Sequence, residues 1–171
     1  YTSGNLTQTT QFRAVVQKGN CTTDYSDATT VTVSQTTVAG TITGVTSVCP
    51  GNTSGLLTLA GYTGNVIKWQ SAVAPFTSWT DIANTSDTYT SDLISVTSEF
   101  RALVQSGSCT SATSSTLTVT VNQASVGGSL SGRSTPIALG QSTGTITLSG
   151  QTGVIVKWQK RLGSGSWANV A

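Results

Sequence analysis

The sequence predicts an all-β protein: tandem antiparallel β-sandwich repeats of about 88 residues. Three observations carry this. The chain repeats itself, its apolar residues alternate with a period of two between turn clusters, and no segment holds a sustained helical stripe.

The repeat is read directly. Phe12-Arg13-Ala14-Val15-Val16-Gln17 returns 88 positions later as Phe100-Arg101-Ala102-Leu103-Val104-Gln105. At the same spacing Tyr1-Thr2-Ser3 matches Tyr89-Thr90-Ser91, Cys21 matches Cys109, and Val31-Thr32-Val33 matches Val119-Thr120-Val121. Gly40-Thr41-Ile42 matches Gly128-Ser129-Leu130. After one inserted residue Thr58-Leu59-Ala60-Gly61 matches Thr147-Leu148-Ser149-Gly150, and Lys68-Trp69-Gln70 matches Lys157-Trp158-Gln159. Trp79 and Trp167 restore the first spacing. This phase divides the chain into a trailing half-unit at 1–33, a complete unit at 34–121 and a leading half-unit at 122–171. Units cut at both ends, and a start at Tyr1 without Met or leader, lead us to expect an excerpt of a longer array.

Each strand follows from the alternation. Leu57 and Leu59 flank Thr58; Ile146 and Leu148 flank Thr147; Leu117, Val119 and Val121 flank Thr118 and Thr120. Ile67 and Trp69 alternate with Val66, Lys68 and Gln70. Such runs read as half-buried strands, where the branched carbon of Thr suits the pleat and its hydroxyl tolerates water. Turn clusters separate them at Gly51-Asn52-Thr53-Ser54-Gly55, Gly61-Tyr62-Thr63-Gly64-Asn65 and Ser106-Gly107-Ser108. Parity puts Phe100, Ala102 and Val104 in a core with Trp69, Leu57, Leu59, Leu117, Val119 and Val121. Lys68, Arg101, Leu103 and Gln105 then face outward.

Composition excludes several functions. The chain has 171 residues, of which eight are Lys or Arg and six are Asp or Glu; His is absent. No Ser-His-Asp triad, Cys-His pair or imidazole metal site is available. A net charge of +2 is not a nucleic-acid footprint. No apolar run is long enough to cross a bilayer as a helix, so no membrane insertion is expected. Thr (33) and Ser (24) make up a third of the chain, which suits exposed strands. The expectation is a non-enzyme with no catalytic, cofactor or metal residues.

The three cysteines allow three pairings. Cys21 and Cys109 are equivalent positions, which disfavours joining them, and Cys49 and Cys109 share the complete unit. A Cys49–Cys109 disulfide is therefore expected, with free thiols as the alternative. Lys68 and Arg101, beside Gln70 and Gln105, form a small basic patch if their strands are neighbours. Its ordinary reading is a solvated sheet face; its functional reading is a contact for anionic surface polysaccharide, with Trp79 and Trp167 as the sugar-stacking candidates. A Lys–Asn isopeptide bond at Lys68 is disfavoured, because parity places that lysine outside. Asp24 and Asp27 read as turn carboxylates, since their copies Ala112 and Ser115 are not acidic. The Asn-x-Ser/Thr triplets at Asn5, Asn20, Asn52 and Asn84 are what so hydroxylated a chain produces by chance.

The order of motifs is a Leu-x-Leu-x-Gly strand, a Lys68-Trp69-Gln70 strand, Trp79 with Ile82 three later, a Tyr89-Thr90 strand, a Phe100-Arg101-Ala102 strand and a Gly-x-Cys turn. This order resembles the Ig-like repeats of large secreted surface proteins of Bacteroidetes, among them the giant adhesins of gliding cells and other substrates of the type IX secretion route. The resemblance covers the whole chain in three pieces. It implies an Ig-like sandwich, a secreted or cell-surface location, and a stalk or spacer whose partners are neighbouring repeats, with surface polysaccharide as a further candidate. A carbohydrate-binding module and a passive spacer within a secreted enzyme are the alternatives. Two departures stand out: Phe12 and Phe100 occupy the place of the tyrosine of a tyrosine corner, and Ile137-Ala138 replaces Cys49-Pro50. Mechanically, each unit is expected to bear load along hydrogen-bonded strands, with the bridge limiting extension. The junctions Ser34–Gly40 and Asn122–Gly128 are short enough to restrict bending.

Overall fold

A computed structural model describes residues 1–132 and 136–170. These residues form strands, bridges and turns and no helix. The chain divides into two compact units, 1–121 and 122–171.

In the first unit, the leading segment contributes β1 (Thr10–Phe12), β2 (Val15–Val16), β3 (Asp24–Tyr25) and β4 (Thr29–Val31). β1 pairs antiparallel with β4, and β2 with β3. There follow β5 (Thr41–Thr43), β6 (Ser47–Val48), β7 (Leu57–Ala60), β8 (Asn65–Val73), β9 (Thr80–Ile82), β10 (Thr88–Tyr89), β11 (Ser98–Gln105), β12 (Ala112–Thr113) and β13 (Leu117–Val121). They make a three-stranded sheet in the order β10-β7-β5 and a larger sheet in the order β6-β13-β11-β8-β9, with β12 added on β11. All contacts are antiparallel except β6 with β13.

Both sheets feed one core. Ile42, Leu57 and Leu59 come from the smaller sheet, and Val66, Trp69, Phe100, Ala102, Val104 and Val119 from the larger. Trp69 is 0 % exposed, and its ring lies 5.6 Å from Tyr89, which in turn lies 5.9 Å from Phe100. The indole N–H is not sacrificed to this burial; Trp69 Nε1 donates to the Ser86 carbonyl at 2.9 Å. Burial, with the nearby Asp92 charge, raises the Tyr89 hydroxyl above its ordinary pKa. β11 alternates without a break: Ser98, Phe100, Ala102 and Val104 are buried while Glu99, Arg101, Leu103 and Gln105 are half-exposed. Leu117 and Val121 are only half-buried.

One parity expectation is corrected. Ile67 is 42 % exposed, whereas Val66 is buried. Leu103 pairs with Lys68 but Val104 pairs with Val66, so Ile67 is the extra residue of a β-bulge. The inserted residue reverses the inward phase of β8 beyond it.

Two devices hold the loops. Ser54 and Ser91, both buried, exchange bonds: each backbone N–H donates to the other's Oγ, at 2.8 and 2.9 Å. The Ser34–Gly40 segment is tied down through Thr37 Oγ1, which accepts from the Ser106 N–H at 3.0 Å, and through a bridge between Val38 and Thr63.

The second unit holds β14 (Ser129–Ser131) paired with β15 (Thr147–Ser149), and β16 (Trp158–Lys160) paired with β17 (Ala168–Val170). Registers recur at the sequence spacing. Thr10↔Val31 and Phe12↔Thr29 have the register of Ser98↔Val119 and Phe100↔Leu117. Leu130↔Leu148 has that of Ile42↔Leu59, and Trp158↔Val170 that of Trp69↔Ile82. Side-chain bonds recur as well: Gln17 Nε2 reaches the Cys21 carbonyl at 2.8 Å, and Gln105 Nε2 reaches the Cys109 carbonyl at 2.9 Å.

Candidate functional site

The polar face of the larger sheet carries the residues singled out in the sequence. β8 and β11 are direct neighbours, and Arg101 stands opposite Gln70. Asp81 on β9 stands opposite Gln70 from the other side. Because all three side chains leave the sheet on the same face, they link across three strands. Arg101 Nε donates to Gln70 Oε1 at 2.8 Å, Gln70 Nε2 donates to Asp81 Oδ1 at 2.7 Å, and Lys68 Nζ meets Asp81 Oδ2 at 2.6 Å. The Arg101 guanidinium carbon lies 3.8 Å from the centroid of the Trp79 ring.

The site is a hydrogen-bonded ladder of two cations and one anion. Hydrogen bonds from Lys68 and from Gln70 hold the Asp81 carboxyl below its ordinary pKa. The pair is open to water, with 31 % of the Lys68 side chain and 58 % of the Asp81 side chain exposed, so it contributes little to stability. Its value is positional: Asp81 orients Gln70, Gln70 orients Arg101, and Arg101 covers one face of Trp79. A cation–π contact of this exposed kind is worth about 0.5–1 kcal/mol. An acid held ionised by two donors is a poor proton-transfer group at neutral pH.

The three glycan candidates Trp79, Lys68 and Arg101 are thus brought together on one face, but the structure gives each of them a partner. Lys68 belongs to Asp81, and Arg101 to Gln70 and Trp79. The sequence reading missed Asp81, and its signal was Trp79 with Ile82 three residues on: β9 carries Asp81 on the opposite face from the half-buried Ile82. Trp167 is 60 % exposed and sits 5.0 Å from Arg161, a different arginine position. Arg13, the copy of Arg101, lies 4.0 Å from the Tyr25 ring.

The Cys49–Cys109 disulfide is not formed; Cys21, Cys49 and Cys109 are free thiols. Strand order explains why. Cys49 follows Val48, which pairs with Val121, and Val119 pairs with Ser98, the first residue of β11. Cys109 lies past Gln105, the last residue of β11. The two cysteines stand at opposite ends of an eight-residue strand, on the order of 25 Å apart at the usual rise, against the 4–7 Å Cα separation a disulfide needs. The Cys109 thiol instead faces the carbonyls of Gln35 and Ser34, at 3.4 and 3.9 Å.

Among the described residues, no three His, Cys, Asp or Glu side chains gather as metal ligands. No buried side-chain nitrogen or oxygen there lacks a hydrogen-bond partner. Lys68, Gln70, Asp81 and Arg101 are linked to one another across the sheet.

A family model described as a domain of unknown function, DUF8696, matches residues 1–35 and again residues 38–123. The chain belongs to that family. The two matched stretches fall on the segments whose strand registers recur, Thr10–Val31 and Ser98–Val119. No curated protein and no solved structure matches the chain.

Proposed function

We propose that this chain is a structural element: Ig-like sandwich units in tandem, serving as a stalk or spacer in a long, secreted, cell-surface adhesin. The observation that carries the reading is the recurrence of strand register at the sequence spacing, with Phe12↔Thr29 and Phe100↔Leu117 as its clearest pair. A unit whose Lys68, Gln70, Asp81 and Arg101 already pair with one another suits reach better than recognition. The chemistry of the Asp81 ladder gives no foothold for catalysis, so the proposal is a non-enzyme whose partners are neighbouring units. Load is borne by β8 and β11, which pair over eight positions. With no bridge between Cys49 and Cys109, extension of a unit is not limited by a covalent loop.

A carbohydrate contact at Trp79 is the second reading, favoured by the position of this ring beside Arg101 on the sheet that also carries Lys68. One experiment weighs both. Pulling the 171-residue chain from its ends should give one cooperative unfolding event for 34–121, releasing roughly 300 Å of contour at about 3.5 Å per residue. The absence of a cooperative event overturns the spacer. Retention on a surface-polysaccharide array that is lost in Trp79→Ala replaces it with the binding module.

A further inference from the structure

Cys49 and Cys109 stand at opposite ends of 34–121, and each end is one that meets a neighbour in a tandem array. Cys109 is at the entry end. Its thiol faces the carbonyls of Ser34 and Gln35, at 3.9 and 3.4 Å, in the segment that leads into the unit. The turn that carries it is held against that segment. The Ser106 N–H donates to Thr37 Oγ1 at 3.0 Å, the Cys109 N–H donates to the Ser106 carbonyl at 2.9 Å, and a Cβ on Gly107 would collide with Ser34 Oγ. Cys49 is at the exit end. It is exposed, and it follows Val48, which pairs with Val121, the last residue of β13.

In successive units these two ends are one place. Ser34 follows Val33, the copy of Val121. The equivalence holds in bonds as well as in letters: the Val33 N–H donates to Thr9 Oγ1 and the Val121 N–H to Thr97 Oγ1, each at 3.1 Å. A cysteine at the Cys49 position of the preceding unit would therefore stand beside Val33 and Ser34, and the Cys109 thiol already faces the Ser34 carbonyl. The strand edges agree. Successive residues of an extended chain turn their peptide groups to opposite edges. Thr120 donates to the Thr46 carbonyl at 2.9 Å, toward β6, and Val121 turns the other way, to Thr97 beside β11. The next residue turns back toward the β6 edge, where Cys49 lies, and its copy is Ser34.

Resting on the tandem reading above, we infer that these cysteines bridge successive units: Cys49 of one unit bonds the cysteine at the Cys109 position of the next. The bond forms by thiol–disulfide exchange with a disulfide oxidant. One cysteine thiolate displaces a thiol from the oxidant, and the other attacks the mixed disulfide and releases the second thiol. The oxidant's S–S bond is thereby reduced to two thiols, which take up the protons of the two cysteines. Such a bridge carries load covalently past the Ser34–Gly40 segment and holds neighbouring units in one orientation. Ile137 occupies the Cys49 position of the following copy, so the junction which that copy serves lacks the bridge.

The test inserts a second copy of 34–121, in phase, between Val121 and Asn122 of the full chain, so that three cysteines become five. After dilute oxidation with oxidised glutathione, peptide mapping without reductant should find one intramolecular bridge, from Cys49 of the first unit to Cys109 of the second. Cys49→Ser in the first unit should abolish it, and the same change in the second unit should leave it intact. The chain without the insertion should form no intramolecular bridge. If no bridge forms, or if another pair is joined, while both units keep their protected amides, the junction bridge is overturned and the tandem reading stands. An inserted unit that gains no protected amides overturns both.

Discussion

The guanidinium carbon of Arg101 lies over Trp79, 3.8 Å from the ring centroid, and Arg101 Nε donates to Gln70. That geometry ends at Asp81, whose two oxygens take Gln70 and Lys68. Protonating Asp81 therefore loosens the whole chain of contacts. Its pKa is lowered from 3.8 in the fold, so its contribution to stability is present above the unfolded value and is lost as pH falls through the lower, folded one. The titration of Asp81 by carboxyl NMR should have its midpoint below 3.8 and move back up in Lys68→Ala. The Asp81→Asn variant should lose the corresponding acid limb in a plot of denaturation midpoint against pH. The effect is small, because the pair is exposed, and it should shrink further in high salt. A midpoint unmoved by Lys68→Ala would remove Lys68 from the ladder.

The cysteines give a second test. The native, unreduced chain should titrate three thiols with an aromatic disulfide reagent. Cys21 and Cys49, both exposed, should react first, and half-buried Cys109 more slowly. Mild oxidation of the monomer should not join Cys49 to Cys109, because the length of β11 separates them. One free thiol in place of three would show that strand order to be wrong.

These two cases mark what the sequence made legible and what it did not. The alternation Phe100, Ala102, Val104 against Arg101, Leu103, Gln105 is local, and β11 follows it residue by residue. The adjacency of the Trp69 and Phe100 strands was legible only as a condition borrowed from the Ig-like resemblance, and β8 and β11 are indeed neighbours. The exposure of Ile67 was hidden, since a bulge is set by how two strands meet and leaves no mark in either alone. Cys49 and Cys109 share a unit, but which ends of a sheet they occupy depends on the parallel pairing of β6 with β13, a crossover no periodicity reports. The partners of Trp79 were missed for the same reason: Asp81 reaches Arg101 only through Gln70, across three strands.

Ser54 and Ser91 were equally hidden, and their exchange of bonds is open to a double-mutant cycle. Each hydroxyl accepts the other residue's buried amide, so Ser91→Ala leaves the Ser54 N–H without a partner. The cost should be about 1–3 kcal/mol in urea denaturation. Ser54→Ala should cost a similar amount by stranding the Ser91 N–H. Both loops then stand loosened by either change, so the double variant should lose less than the sum. Strict additivity would mean that the two bonds form independently.

The last prediction separates backbone strain from crowding. Gly40 and Gly61 have nearly the same conformation, with φ of 76° and 69°. A Cβ on Gly61 would meet nothing within 4 Å, whereas one on Gly40 would fall 2.5 Å from the Ala60 carbonyl oxygen. Gly61→Ala therefore carries only the left-handed penalty, roughly 1–2 kcal/mol. Gly40→Ala carries that penalty and must also push β5 away from β7, whose end residues Thr41 and Ala60 are paired beside it. Its loss of stability should clearly exceed that of Gly61→Ala, and amide exchange should quicken at Thr41 and Ile42 in the first variant alone. Gly128 repeats the crowding, its Cβ falling 2.5 Å from the Ser149 carbonyl oxygen. The Gly128→Ala change should accordingly open β14 from β15, and equal costs for Gly40→Ala and Gly61→Ala would show that the approach of these strands is not what selects glycine here.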